Sequence, residues 1–217
     1  MQTVFSNNIY CPLCCNDNLA DYHCDKHRYY LQCEQCLLVS VPQQFHLSSA
    51  AEKQVYDQHQ NSPHDMGYRE FLAKLATPLI ARLSNKSRGL DFGSGPGPTL
   101  SVMLEDQGYS MNVYDVYYAR DEAVLGQSYD FITSTEVVEH LANPKLELER
   151  LWSLIEPGGY LGLMTKLVVD KKSFSSWHYK NDPTHIAFFS KDTFNYLARQ
   201  WGATVEFFGN DVIIFQK

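Results

Sequence analysis

Six cysteines, all within the first 36 residues, are the side chains best suited to bind a metal ion. They include two C-x-x-C pairs, Cys11 with Cys14 and Cys33 with Cys36, and 18 residues separate the pairs. This spacing is typical of two metal-binding knuckles that a hairpin brings together. Four thiolates complete the tetrahedral coordination of Zn²⁺ and leave no position for a substrate. We therefore predict a structural zinc site at these four cysteines.

Other residues of the same segment are alternative ligands, namely Cys15, His23, Cys24 and His27. Disulfides fit poorly, because the chain does not start with a basic region followed by an apolar stretch, as a secreted protein would. A redox C-x-x-C motif needs only one pair. Residues 28–32 are rich in strand-forming types. We expect a zinc-ribbon-like module over residues 1–45, followed by a connector over residues 46–63.

The stretch GLDFGSGPGPTL, residues 89–100, places three glycines at alternate positions after a short apolar run. A dinucleotide fingerprint that starts at Gly93 needs a small residue at position 98, which is Pro98 here. A phosphate-binding P-loop needs a Gly-Lys-Ser/Thr sequence, which does not follow. Asp91, just before the first of these glycines, would repel a pyrophosphate but suits an ammonium group. The loop therefore indicates a ligand with a cationic amino group.

Alternating strands and helices must position this loop. The strand candidates are Gly89–Phe92, Met111–Asp115, Tyr129–Ser134, Tyr160–Val168, Thr204–Phe208 and Val212–Phe215. The helix candidates are residues 64–84, Pro98–Gln107, Pro144–Ile155 and Lys191–Gln200. Such alternation predicts a doubly wound α/β fold with a mostly parallel sheet. Only three residues separate the last two strands, so the sheet should end with an antiparallel hairpin strand.

Four motifs in this order resemble the class I S-adenosylmethionine-dependent methyltransferases, whose fold is Rossmann-like. The segment 91–97, DFGSGPG, is similar to motif I of that family, and Asp115 stands where the family has an acidic residue after the second strand. The segment 130–140, DFITSTEVVEH, resembles the strand and loop that follow. The segment 154–161, LIEPGGYL, resembles the lead into the next strand. The resemblance covers residues 64–217.

The resemblance implies S-adenosylmethionine as the cofactor and assigns its binding residues. The glycine loop would let the backbone approach the methionyl part, with Asp91 serving the amino group and Asp115 binding the ribose hydroxyls. The implied cofactor-binding residues are Asp91, Gly93, Ser94, Gly95, Gly97, Asp115, Thr135 and Glu136. His59, Tyr68 and Arg69 are further candidates near the methionyl end, with surface packing as the alternative.

The sequence departs from the family pattern between Asp115 and Asp130. Only 14 residues, Val116 to Tyr129, lie where the family has a helix and a third strand, and they contain no clear strand. The adenine pocket is therefore expected to be shortened or built differently. Tyr117, Tyr118 and Leu125 are candidates to line it.

Two segments could bind the methyl acceptor or remove its proton. His140 lies four residues after Glu136, so on an α-helix the two side chains would share a face. Residues 176–185 contain two histidines, two aromatic residues, an aspartate and a lysine, and loops at strand ends often carry function. We predict His185 and His140 as catalytic residues and Trp177, His178, Tyr179 and Asp182 as acceptor-binding residues. An aromatic flap that only packs on the domain is the alternative.

Composition argues against a nucleic-acid partner. The net charge is −7, and residues 1–60 hold three basic and six acidic residues, whereas phosphate contacts require basic surfaces. No apolar run approaches the length of a membrane span. We expect a cytoplasmic enzyme without a membrane partner that methylates oxygen or carbon of a small molecule. The alternatives are an RNA methyltransferase that docks through its zinc module and a non-catalytic cofactor-binding or interaction protein. The acceptor and the oligomeric state stay open.

Overall fold

The computed structural model describes residues 10–58 and 62–217 of the 217-residue chain. His59, a candidate from the sequence, lies outside these residues. The strands are β1 (Leu19–Cys24), β2 (Tyr29–Cys33), β3 (Val39–Ser40), β4 (Arg88–Phe92), β5 (Ser110–Tyr114), β6 (Tyr129–Thr135), β7 (Ile155–Met164), β8 (Ala187–Phe188), β9 (Thr204–Phe208) and β10 (Val212–Gln216). The α-helices are α1 (Ser49–Tyr56), α2 (Met66–Ile80), α3 (Thr99–Glu105), α4 (Pro144–Leu154), α5 (Lys171–Ser175) and α6 (Lys191–Trp201).

The larger sheet has six strands in the order β5-β4-β6-β7-β10-β9. β5, β4, β6 and β7 are parallel, and β10 runs antiparallel to both β7 and β9. This arrangement confirms the predicted mostly parallel α/β sheet with a closing antiparallel hairpin. Because β4, β5 and β6 are parallel neighbours, the loops that follow them meet at one edge of the sheet.

Helices cover both faces of this sheet. Successive side chains of β10 point to opposite faces, and each face packs against a different pair of helices. Val212 and Ile214 pack with α2 and α3 on one face, where Leu75 and Leu104 are fully buried. Ile213 and Phe215 pack on the other face with residues of α4 and α6. A strand that is apolar on both faces is expected inside a covered sheet. No helix of the described ranges is long and apolar enough to cross a membrane.

The helices begin and end where capping residues occur. Ser190 caps α6 in a capping box with Thr193, and the helix ends at Gly202, whose φ of 63° is left-handed. Asp65 caps α2 by accepting hydrogen bonds from two backbone N–H groups. Pro78 lies near the C-terminal end of α2, and the helix continues for two more residues.

A second, smaller sheet joins the N-terminal segment to the rest of the chain. Its order is β1-β2-β3-β8, and all its pairs are antiparallel. β8 lies between β7 and α6, just after residues 176–185, which the sequence analysis treated as an acceptor segment. The aromatic cluster beneath the sheet also draws on both parts, since Tyr22 and Tyr30 pack with Phe174 and Phe188. Strand pairing and aromatic packing therefore join the N-terminal hairpin to the segment that follows β7.

The structure differs from the predicted elements in two places. The strand predicted at 160–168 begins earlier, at Ile155, and ends at Met164. β8 and α5 were not predicted, because segments of two and five residues have no periodicity to detect. Between Asp115 and Tyr129 the described chain forms a bridge to Ala119 and a 3₁₀ helix, Glu122–Gly126, and no third strand. The shortened segment noted in the sequence therefore leaves β5 at the sheet edge.

Gly89 provides a test of the packing between β4 and its neighbours. A Cβ at this position would lie 2.3 Å from Cζ of Phe131 and 2.6 Å from Sδ of Met111. Phe131 is fully buried, so Gly89→Ala should lower the free energy of unfolding by about 1–3 kcal/mol through overpacking. Urea denaturation monitored by circular dichroism measures this change. Gly126→Ala, where a Cβ meets nothing within 4 Å, should change it by less than about 0.5 kcal/mol. Equal stability of the two variants would contradict the packing described.

Candidate active site

A cavity of about 840 Å³ opens at the carboxyl ends of β4, β5 and β6. Its walls are the loops after these strands, helix α1 and the segment 182–186. The volume lies in the range of small-molecule sites, and the position is where α/β sheets bind ligands. The predicted residues that line it are Gly93, Ser94, Gly95, Asp115, Thr135, Glu136, His140, Asp182 and His185.

The glycine loop after β4 turns sharply beneath this cavity. Gly93 and Gly95 have φ values of 78° and 66°, which side chains other than glycine rarely adopt. A Cβ at Gly93 would also lie 2.3 Å from Cγ2 of Val137. The hydroxyl of Ser94 is buried without a hydrogen-bond partner in the described residues. Gly97 does not line the cavity, and its carbonyl accepts a hydrogen bond from the first residue of α3.

Asp115 joins the glycine loop to the loop after β5. Its Oδ2 accepts the backbone N–H of Gly95 at 2.9 Å. Its Oδ1 accepts those of Tyr117 and Tyr118 at 2.8 and 3.0 Å. Each carboxylate oxygen can accept two hydrogen bonds, so capacity is left for a ligand. Asp115 thus fixes two walls of the cavity.

Asp91 lies beneath the glycine loop and not in the cavity wall. The residue is 2% exposed, and its carboxyl group accepts hydrogen bonds from the hydroxyls of Thr133 (2.9 Å) and Ser101 (3.1 Å). Burial raises the pKa of Asp91 to about 6, with the nearby charge of Asp115 acting in the same direction. Ionised Asp91 is therefore costly in a site whose hydrogen-bond donors are neutral.

Helix α1 closes the side of the cavity next to Tyr117 and Tyr118. The Tyr117 hydroxyl donates to Glu52 at 2.7 Å, and the Tyr118 hydroxyl donates to Asp57 at 2.7 Å. Both tyrosines line the cavity, as predicted candidates for the adenine pocket, whereas Leu125 does not. Of the candidates at the methionyl end, Tyr68 lines the cavity, while Arg69 forms an ion pair with Asp106 at the surface. The sequence analysis did not anticipate the role of α1.

The loop after β6 carries a fully buried glutamate, Glu139, and a half-buried one, Glu136. It forms a 3₁₀ helix, Val138–His140, and Glu136 precedes it with a φ of 53°. Glu136 and His140 therefore do not share the face of an α-helix, as the spacing had suggested. The Tyr179 hydroxyl donates to Glu139 and lies 3.2 Å from Oε2 of Glu136. Burial raises the pKa of Glu136 to about 8 and that of Glu139 to about 7.

His140 and His185 lie side by side at the same end of the cavity, with ring centroids 4.7 Å apart. Nδ1 of His185 is 2.7 Å from the carbonyl of Tyr179, and Nδ1 of His140 is 3.2 Å from the carbonyl of Thr184. A carbonyl only accepts, so Nδ1 of each ring carries a proton. Burial and the proximity of His140 lower the pKa of His185 to about 4. His185 is therefore a neutral imidazole near pH 7.

Three predicted acceptor-binding residues, Trp177, His178 and Tyr179, do not line the cavity. Trp177 packs against Phe174 of α5 and Phe188 of β8. Nε2 of His178 accepts a hydrogen bond from Lys166 at 3.1 Å. Tyr179 is buried, and its hydroxyl contacts the carboxyl groups of Glu136 and Glu139. Asp182 lines the cavity, and its Oδ2 is 3.9 Å from Nε2 of His185. The predicted segment thus contributes its last residues to the cavity and its first ones to the packing behind it.

A buried arginine of the N-terminal hairpin holds the segment that carries His185. Nη2 of Arg28 donates to the carbonyls of Lys180 (2.6 Å) and Asp182 (2.9 Å). Nη1 donates to the carbonyl of Pro183 at 3.3 Å. The ammonium of Lys180 in turn binds Asp25 of the hairpin at 3.1 Å. The sequence analysis missed Arg28, because its partners lie more than 150 residues along the chain.

The four predicted zinc ligands lie together. Their sulfur atoms are all within 4.8 Å of one another, and the closest pairs, Cys11 with Cys36 and Cys14 with Cys33, are 3.4 Å apart. A disulfide needs about 2.05 Å, whereas sulfurs around tetrahedral zinc lie about 3.8 Å apart. Within the described ranges, the alternative ligands Cys15, His23, Cys24 and His27 are outside this cluster. The chemistry of four close thiols fits Zn²⁺.

Sequence comparison extends these observations. Residues 65–206, more than half of the chain, match the family described as "Methyltransferase domain". A protein of Dinoroseobacter shibae named "Ubiquinone biosynthesis O-methyltransferase" is 33% identical over 103 residues, which cover 46% of this chain and 40% of that protein. A protein of the same name from Shewanella pealeana is 29% identical over 87 residues, covering 40% and 36%. The chain thus spans less than half the length of these curated relatives.

Solved structures share the fold. A SAM-dependent methyltransferase from Archaeoglobus fulgidus superposes with a TM-score of 0.56 at 17% identity, covering 76% of this chain and 99% of that one. Magnesium protoporphyrin IX methyltransferase from Synechocystis, crystallised with bound S-adenosylhomocysteine, gives a TM-score of 0.53 at 15% identity and covers 77% and 93%. By its family match the chain belongs to the methyltransferase domain family, and its architecture is that of the class I S-adenosylmethionine-dependent methyltransferases.

Proposed function

We propose that this chain transfers the methyl group of S-adenosylmethionine to a small-molecule acceptor, at oxygen or carbon. The observation that carries the proposal is one cavity with two chemically different ends. The glycine loop and Asp115 form one end, and His140, Asp182 and His185 form the other. Methyl transfer is an in-line displacement, for which an enzyme mainly needs to position two ligands against each other.

The residues at the first end fit S-adenosylmethionine. Gly93 and Gly95 let the backbone approach a ligand closely, and the buried hydroxyl of Ser94 offers an unused hydrogen-bonding group. Asp115 would accept the ribose hydroxyls, and Thr135 and Glu136 would contact the methionyl part. When bound, the sulfonium supplies an electrophilic methyl group.

Asp91 would serve the cofactor through its charge. Its carboxyl group is buried among neutral hydroxyls, so ionisation lowers the stability of the ligand-free protein. An ammonium group bound at the loop above would offset that cost. This arrangement favours a cationic cofactor over a pyrophosphate. The stability lost by the ligand-free protein would be recovered as affinity for the cofactor.

The second end would bind the acceptor. His185 presents a nitrogen lone pair at Nε2, and His140 and Asp182 lie beside it. Imidazoles in this state can hydrogen-bond an acceptor hydroxyl and help to ionise it. The curated relatives are named as O-methyltransferases, which supports oxygen as the atom methylated. Trp177, His178 and Tyr179 would act from behind the cavity by supporting this end.

We also propose that Cys11, Cys14, Cys33 and Cys36 bind a structural Zn²⁺ in a module over residues 1–45, joined through residues 46–63 to a catalytic domain over residues 64–217. The buried thiol cluster lies among apolar side chains of α4 and α6. The metal would fix the hairpin that carries Arg28. The module would therefore support the acceptor end and not act as a docking site for RNA.

Cofactor binding is tested by titrating S-adenosylhomocysteine into the zinc-loaded protein by calorimetry. We expect micromolar binding, which Asp115→Ala weakens by one to a few kcal/mol because charged hydrogen bonds are lost. Asp106→Ala, which removes an exposed carboxylate at the end of α3, is the matched control and should bind like the wild type. A folded wild-type protein that does not bind at millimolar ligand would refute the proposed function.

Asp91→Asn removes the charge of Asp91 but keeps nearly the same side-chain shape. The folded-state pKa of about 6 lies above the ordinary value of 3.8, so the stability present below pH 4 is lost as the pH rises through 6. The ligand-free variant should therefore exceed the wild type in stability at pH 8 by up to about 3 kcal/mol, and by less at pH 5. Urea denaturation at both pH values measures this, and calorimetry should show weaker S-adenosylhomocysteine binding. A variant whose stability difference is the same at both pH values would contradict the role of the charge.

The zinc site is tested with Co²⁺, whose thiolate complexes absorb intensely through sulfur-to-metal charge transfer. The wild type should show this absorption, and Cys11→Ser should lose most of it together with thermal stability, because a buried ligand is removed. Cys24→Ser, an exposed cysteine outside the cluster, should match the wild type. Equal charge-transfer absorption in Cys11→Ser and Cys24→Ser would exclude the proposed ligand set.

A further inference from the structure

Three side chains at the acceptor end bring ligand atoms for a cation close together. Glu139, His140 and His185 each offer one nitrogen or oxygen, and these atoms all lie within 4.8 Å of one another. Two imidazoles and one carboxylate form a donor set that binds divalent transition metals on one side and leaves other coordination positions open. The cluster is separate from the four cysteines.

The hydrogen bonds behind the cluster orient its ligands. Both histidines hydrogen-bond a backbone carbonyl through Nδ1, at 3.2 Å for His140 and 2.7 Å for His185. Metal-binding histidines characteristically donate the other ring N–H to a carbonyl or carboxylate, which fixes the tautomer with Nε2 toward the metal. The same pattern occurs here in two adjacent rings. It makes Nε2 the ligand atom of each ring once that ring is neutral.

Glu139 supplies a second, independent indication of a ligand. The residue is 0% exposed, and its Oε1 accepts the hydroxyl proton of Tyr179. Its Oε2 is buried without a hydrogen-bond partner in the described residues, as is Oε1 of the adjacent Glu136. Buried polar atoms are normally satisfied, because desolvation without a partner costs free energy. A cation at the cluster would satisfy the unpartnered oxygen of Glu139.

We propose that Glu139, His140 and His185 bind a divalent transition-metal cation at the acceptor end of the cavity. The mixed nitrogen and oxygen donors suit Zn²⁺, Fe²⁺, Co²⁺ or Mn²⁺ better than Ca²⁺, which takes oxygen ligands. His140 and His185 line the cavity, so the open coordination positions face it. If the proposed function holds, these positions would take a hydroxyl oxygen of the acceptor in place of its direct hydrogen bond to an imidazole. An oxygen bound to a metal ionises more readily.

The site is tested with Mn²⁺, which avoids thiolates, added to protein that already holds one equivalent of Zn²⁺. The electron paramagnetic resonance signal of free Mn²⁺ should decrease by the amount that corresponds to one bound Mn²⁺ per protein. Glu139→Gln and His185→Gln should each weaken Mn²⁺ binding at least tenfold, because each removes a ligand. His64→Gln, which changes an exposed histidine that does not line the cavity, should bind Mn²⁺ like the wild type.

Calorimetry with S-adenosylhomocysteine on the same preparations shows that the variants are folded and separates the two proposals. Retained S-adenosylhomocysteine binding without any Mn²⁺ binding would overturn the cation site and leave the proposed function standing. Mn²⁺ binding at the cluster without S-adenosylhomocysteine binding would overturn the proposed function and leave the cation site standing. Mn²⁺ affinity that is unchanged in both folded ligand variants would overturn the assignment of these residues.

Discussion

The acceptor end of the cavity depends on one buried guanidinium group. Arg28 donates to three backbone carbonyls within residues 180–183, just before His185. Without a donor, these carbonyls would lose hydrogen bonds in a region largely shielded from water. Arg28 is itself held by the hydroxyl of Tyr30, at 3.0 Å from Nε. The position of His185 therefore follows from a residue of the N-terminal hairpin.

This contact gives the N-terminal module a role that its charge alone does not suggest. Arg28 directly precedes β2, whose last residue, Cys33, belongs to the thiol cluster. β3 of the same module pairs with β8, which begins two residues after His185. Two independent sets of hydrogen bonds thus tie the module to the acceptor end. A metal bound at the cysteines would act on the cavity by holding its wall in place.

Local sequence patterns predicted much of the fold and part of the candidate site. The glycine loop, Asp115 and the two C-x-x-C pairs were found because their spacing within a few residues reflects one turn or one metal. Arg28, β8 and the contact of Tyr179 with Glu139 were not found, since each joins segments far apart in the chain. Glu139 itself lay within a quoted motif. Its importance became visible only when the 3₁₀ helix placed it beside His140 and His185.

The two ends of the cavity share one physical design. Each has a buried carboxyl group, Asp91 or Glu139, whose hydrogen-bond donors are neutral hydroxyls and whose pKa is raised by burial. Such a group destabilises the ligand-free protein when it ionises, and a nearby cation reverses that effect. An ammonium group at one end and a metal ion at the other would each supply the missing charge. The free energy lost when each carboxyl group ionises would be recovered when its cation binds, so the folded chain would be most stable with both cations bound.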